Sequence, residues 1–201
     1  MREGRSGMSK RSVRRLCFDT ESNYFKRGDT GVGDPDAHRE FFRQRGEKFA
    51  FHCAVVYDSR SGKFREFRRE KAEALVTLLG SADELVSHSG RRVDLLVLEH
   101  ACGEDRIAPL WRLRHHDLFD IFDWQSLNAL AKRFVPDRLV AWELAYERRV
   151  SRAERRWPTK NDWASNELFI AQKLAKARFD VEKTWGVFEA YVRQKMQASC
   201  S

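Results

Sequence analysis

Cysteine is sparse and unpaired in this sequence. Cys17, Cys53, Cys102 and Cys200 are scattered, and no two of them form a C-x-x-C pair. A structural zinc site needs paired ligands at short spacing that converge on a tetrahedron, so this scatter argues against one. A disulfide framework has no better support, and free thiols in a reducing cytoplasm are the simplest reading. No apolar run approaches the length of a membrane span, and nothing near Met1 combines an apolar stretch with a cleavage site. The expectation is an intracellular, cytoplasmic protein with no membrane partner. Internal repeats, helix-turn-helix patterns and zinc-finger spacings are missing too, which leaves a DNA-binding regulator acting through an arginine-rich helix the weakest of three functional readings.

What is present is charge. Of 201 residues, 34% are charged, and the net charge is +8. Basic surface attracts phosphate backbones and releases their counterions, so polyanions are the natural partners. Much of the surplus sits in two places. Arg2, Arg5, Lys10, Arg11, Arg14 and Arg15 face the single acid Glu3, and residues 1–12 read as a flexible basic arm. Arg148, Arg149, Arg152, Arg155, Arg156 and Lys160 form the second run, either a solvated helix face or a track for a phosphate backbone. Residues 13–201 carry aromatic and branched aliphatic side chains throughout, enough for one domain with a real core.

Periodicity gives the order of elements. Val13–Phe18 reads as a strand leading into Asp19-Thr20-Glu21, and a loop rich in Gly and Asp follows over Lys26–Asp36. Phe49–Tyr57 and Lys63–Arg69 read as a hairpin across the turn residues Asp58–Gly62. Ala72, Leu75, Val76 and Leu79 recur at helical spacing. Leu85–Ser87 is a short strand, and Val93, Leu96, Val97 and His100 mark a helix that ends at Gly103. Leu118–Phe122 is apolar enough for another strand, and Ser126–Phe134 reads as a helix halted by Pro136. Beyond it Leu139–Arg156 and Asn166–Gln197 are helical, separated by the breaker Trp157-Pro158. The expected fold class is α/β: a mixed sheet flanked by helices, with a helical C-terminal part.

Three segments carry chemistry. Asp19 and Glu21 stand two apart on a strand, so both carboxylates point to one face and can share a cation. Asp94 opens the helix that follows the turn His88-Ser89-Gly90, where an acid also complements the helix dipole. Asp180 borders the stripe Leu174, Ala177, Val181, Trp185, Phe188 and Val192 on the last helix. His115-His116-Asp117 is read as hydrogen-bonding or surface residues, because neighbours on a strand point to opposite faces. Trp142, Trp157, Trp163 and Trp185 are read as core rather than base-stacking platforms, with exposure the alternative for Trp157 beside Pro158 and the arginines.

In order and spacing, these segments resemble the three motifs of the DEDD superfamily of 3′→5′ exonucleases. Its first strand ends in Asp-x-Glu, here Asp19-Thr20-Glu21. Its second motif resembles His-Asn-Gly followed by an apolar residue and Asp, here His88-Ser89-Gly90 and Val93-Asp94. Its last helix carries Asp-Val and then Thr, here Asp180-Val181 and Thr184. The resemblance implies a ribonuclease H-like fold and hydrolysis of DNA or RNA from a 3′ end, preferentially single-stranded. It also implies two Mg²⁺ or Mn²⁺ ions held by Asp19, Glu21, Asp94 and Asp180.

The third motif diverges. The superfamily places a Tyr four residues, or a His five residues, before its last Asp to orient the attacking water. Here those positions are Lys176 and Ala175. Lys176 lies one helical turn from Asp180 and either handles water and phosphate or pairs with Asp180. His88 is the other candidate for the water, or else it satisfies backbone groups in its turn. The divergence keeps a second function open: a catalytically inactive nuclease-like fold that binds nucleic acid or protein.

Overall fold

A computed structural model describes residues 12–22, 50–156 and 162–200. The expected basic arm and the Lys26–Asp36 loop lie outside them, apart from the arm's last residue, as do Trp157-Pro158 and Lys160. Five strands form one sheet: β1 (Arg15–Ser22), β2 (Phe51–Asp58), β3 (Lys63–Arg68), β4 (Glu84–Ser87) and β5 (Arg114–Asp117). Their order is β3-β2-β1-β4-β5. β1 pairs antiparallel with β2 and parallel with β4, so the sheet is mixed. The helices are α1 (Ala72–Gly80), α2 (Asp94–Cys102), α3 (Glu104–Trp111), the single turn α4 (Leu118–Ile121), α5 (Leu127–Phe134), α6 (Pro136–Arg156) and α7 (Asp162–Ala198). This is the α/β, ribonuclease H-like architecture expected from the sequence, with its helical C-terminal part. No helix among the described residues is long and apolar enough to cross a membrane.

Strand alternation divides the core in two. Leu16, Phe18, Ala54, Val56 and Leu85 point to one face and pack with buried residues of α1, α2 and α3. Cys17, Cys53, Val55 and Val86 point to the other and meet α5, α6 and α7. Because Asp19 and Glu21 continue the period of Cys17, they belong to the face on which α7 packs. The α7 stripe is the one expected: Leu174, Ala177, Val181 and Phe188 are buried, with Trp185 and Val192 partly so. Trp142 and Trp185 pack against this core, as read from the sequence.

One strand was expected in the wrong place. Leu118–Phe122 is not a strand; the fifth strand is the polar segment Arg114–Asp117 just before it. Its polar side chains have buried partners: His115 Nε2 lies 2.7 Å from Ser87 Oγ and His116 Nε2 3.1 Å from Glu84. The Asp117 carboxylate then accepts the Phe119 N–H, and that cap turns the apolar run into helix. Smaller differences follow the same logic. β1 runs on through Asp19 and Glu21 to Ser22, pairing the two acids with Val55 and Cys53. Pro136 opens α6 as well as following α5, as proline does at a first helical position.

Gly186 sets the approach of α7 to α6, because a Cβ there would run into the ring of Trp142. Replacing Gly186 by Ala should cost about 1–3 kcal/mol of stability, the usual penalty for overpacking. Denaturant unfolding followed by tryptophan fluorescence measures it.

Candidate metal centre

The acids arrive from both ends of the chain. Asp19 and Glu21 come from β1 and Asp180 from α7, and one oxygen of each lies within 4.8 Å of the others. α7 is held against β1 beside this point by its apolar stripe, where the Cys17 thiol lies 3.8 Å from the Val181 carbonyl oxygen. Asp94 reaches the same strand from the opposite face. Its Oδ1 accepts the backbone N–H and the hydroxyl of Thr20, each at 2.6 Å. Asp94 is thus bonded to the residue between Asp19 and Glu21, while the three-acid group itself comprises Asp19, Glu21 and Asp180.

Burial makes this charge costly. Asp19 is held well above the ordinary carboxyl range, first by burial and then by the charges of Asp94 and Asp180, against the opposing pull of Lys176. Burial pushes Asp94 up to about 7, although its bonds from Thr20 pull the other way. Asp19 Oδ2 is buried with no hydrogen-bond partner among the described residues. A buried acceptor left open costs free energy, and a cation there would remove that cost. Hard carboxylate oxygens at this spacing are donors of the kind that Mg²⁺ and Mn²⁺ prefer, so the residues fit a divalent ion.

Three lysines already crowd the cluster. Lys176 Nζ lies 2.6 Å from Glu21 Oε1 and 3.0 Å from Asp180 Oδ2. Lys173 Nζ lies 2.9 Å from Glu21 Oε2. The buried Lys183 Nζ is 2.7 Å from Asp180 Oδ1 and donates to Asn128 Oδ1 at 2.8 Å. Lys176 therefore bridges Glu21 and Asp180 rather than pairing with Asp180 alone. Although burial alone would lower it, the neighbouring carboxylates of Asp180, Asp19 and Glu21 raise the Lys176 pKa further, so the ammonium is a fixed charge. Lys173 and Lys183 escaped the sequence reading, yet the signal was there: 173, 176, 180 and 183 are three or four apart, one face of a helix.

His88 occupies the turn after β4, with Nε2 2.9 Å from the Gln125 carbonyl oxygen and its ring edge-on to Phe119. The turn itself hangs on Asp117, one of the three residues read from sequence as hydrogen-bonding or surface. This buried carboxylate accepts the N–H groups of Ser89 at 2.6 Å, Arg91 at 3.1 Å and Phe119 at 3.1 Å. Ser89 has a positive φ of 68°, and a Cβ on Gly90 would collide with Ser87, so the turn tolerates little change. Asp117→Ala leaves three backbone donors without their acceptor. The expected loss is about 3 kcal/mol, which at this size lowers the melting temperature by roughly 6–12 °C. Thermal unfolding followed by circular dichroism checks it.

The second basic run is partly spoken for. Arg149 forms a two-pronged pair with Glu182, at 2.8 and 3.2 Å, whereas Arg148, Arg152 and Arg155 are exposed on α6.

Strand order, helix placement and the acid cluster together define a ribonuclease H-like domain with a candidate metal centre on its central strand. Among solved structures, the chain is similar to the family B DNA polymerase from the hyperthermophilic archaeon Pyrobaculum calidifontis, with a TM-score of 0.50 and 17% identity. That similarity covers 90% of this chain and 24% of the polymerase chain, so the protein spans about a quarter of its neighbour's length. At this identity the likeness is one of fold. No protein-family model matches the chain, and no curated protein matches its sequence.

Proposed function

We propose that this protein is a metal-dependent 3′→5′ exonuclease of the DEDD type, acting on the 3′ end of single-stranded DNA or RNA. The observation that carries the reading is the convergence of Asp19 and Glu21 with Asp180, far along the chain, around a buried Asp19 oxygen that has no partner among the described residues. The similarity to part of a DNA polymerase and the net charge of +8 are in keeping with nucleic acid as the partner.

In this reading Asp19, Glu21, Asp94 and Asp180 hold Mg²⁺ or Mn²⁺. A divalent ion bound there lowers the pKa of a water to make the attacking hydroxide and stabilises charge on the leaving oxygen. The protein's own groups do the rest. Thr20 fixes the Asp94 carboxylate through two hydrogen bonds, so that acid needs no rearrangement to act as a ligand. Lys176, a permanent cation on the solvent side of the cluster, is placed to meet the scissile phosphate. His88 belongs to the turn that delivers Asp94 and is the residue assigned to water handling.

The lysine contacts favour a second reading. Every oxygen of Glu21 and Asp180 already has an ammonium group beside it. A fold that had exchanged its ions for lysines would bind nucleic acid without cutting it. Incubation with a 5′-labelled single-stranded oligonucleotide and Mg²⁺ or Mn²⁺ separates the two. The exonuclease shortens the label from the 3′ end in a ladder; an intact oligonucleotide retarded in a gel would give the case to the binding module.

A further inference from the structure

We infer that the Lys176 ammonium is a built-in cation of the acid cluster, standing in place of one divalent ion, so that the site takes a single ion, at the open oxygen of Asp19. This rests on the reading of the cluster as a metal centre and refines it.

The oxygens divide unevenly. Both Glu21 oxygens have a lysine partner, Oε1 Lys176 at 2.6 Å and Oε2 Lys173 at 2.9 Å. Both Asp180 oxygens do as well, Oδ1 Lys183 at 2.7 Å and Oδ2 Lys176 at 3.0 Å. Asp19 Oδ2, by contrast, is buried with no partner among the described residues, and Asp94 gives Oδ1 to Thr20. The ammonium groups therefore belong to Glu21 and Asp180, and the open oxygen to Asp19.

Electrostatics gives the same answer. Among the described residues, the three clustered carboxylates and Asp94 carry four negative charges when all are ionised, against three ammonium groups. Each divalent ion after the first builds an excess of positive charge in a partly buried site, and loss of the Lys176 charge lowers that excess. Lys183 is almost wholly buried and tied to Asn128, so it cannot swing aside. Among the described residues Lys176 is the one lysine that bridges two of the acids. Loss of its charge is the single change that would reopen both Glu21 and Asp180 at once.

The test counts ions on the full chain without nucleic acid, by Mn²⁺ titration with electron paramagnetic resonance of the free ion. The wild type should bind about one Mn²⁺ per chain, Lys176→Met about two, and Lys176→Arg about one. Asp19→Asn should remove the wild-type ion. Two ions of comparable affinity on the wild type would overturn the inference and leave the metal centre standing. A single ion on a folded Lys176→Met chain would overturn it as well. No ion on either protein would bring down the metal-centre reading itself. If Lys176→Met fails to fold, as judged by circular dichroism, the wild-type count alone decides.

Discussion

A chain carrying Asp19→Ala and Glu21→Ala together should lose 3′ shortening of a labelled oligonucleotide by on the order of 10³-fold, about 4 kcal/mol of transition-state stabilisation. Two of the four proposed ligands disappear in this variant, both from the strand that anchors the cluster. The fold should survive the change, for two reasons. Asp19 is a half-buried acid with one oxygen closed off from solvent, and its ionised form is unfavourable, so its removal relieves a cost. Glu21 leaves Lys173 and Lys176 behind, but their side chains are 24% and 52% exposed and can hydrate. Circular dichroism and an unchanged gel shift would then show a folded protein that still binds nucleic acid. The isosteric Asp19→Asn should be nearly as inactive, which separates loss of charge from loss of shape. Undiminished shortening by the double variant would place the chemistry elsewhere in the molecule.

Much of this arrangement was legible in the sequence because it follows from periods of two and 3.6. Alternation along β1 puts Asp19 and Glu21 with Cys17 on one face, and helical spacing puts Asp180 beside the stripe that packs there. Two kinds of feature were harder to read. β5 was missed because a strand made of Arg114, His115, His116 and Asp117 has no apolar signal. Its stability comes from Ser87 and Glu84 on the neighbouring strand, which only the fold brings alongside. The lysine cage was missed for a related reason. Lys176 could be paired with Asp180 from spacing alone, but its 2.6 Å contact with Glu21 spans 155 residues. Long-range ion pairs leave no local pattern, whereas hydrophobic periodicity does. The site was therefore readable as a set of acids and unreadable as a balance of charges.

That balance predicts how the protein should respond to metal and pH. In an unfolded chain the carboxyls of Asp19 and Asp94 ionise near 3.9. In the folded protein Asp94 keeps its proton up to about 7, and burial raises Asp19 as well. Between those limits the folded state binds more protons than the unfolded one, so metal-free stability is greatest below about pH 4 on account of these two groups. It falls as pH climbs through the folded values and is flat above them. Divalent ions compete for the same oxygens and bind only the ionised acids. At pH 8, Mn²⁺ at 100 times its dissociation constant should add about 2.7 kcal/mol, raising the melting temperature by roughly 5–10 °C. At pH 5.5 the same concentration should add little, since each ion must first displace a proton. Asp19→Asn should abolish the rise at pH 8 and, lacking one of the buried acids, should melt higher than the metal-free wild type at that pH. Differential scanning calorimetry of both proteins at the two pH values, with and without Mn²⁺, gives all of these quantities. A metal-induced rise as large at pH 5.5 as at pH 8 would mean that the ion binds away from the buried acids.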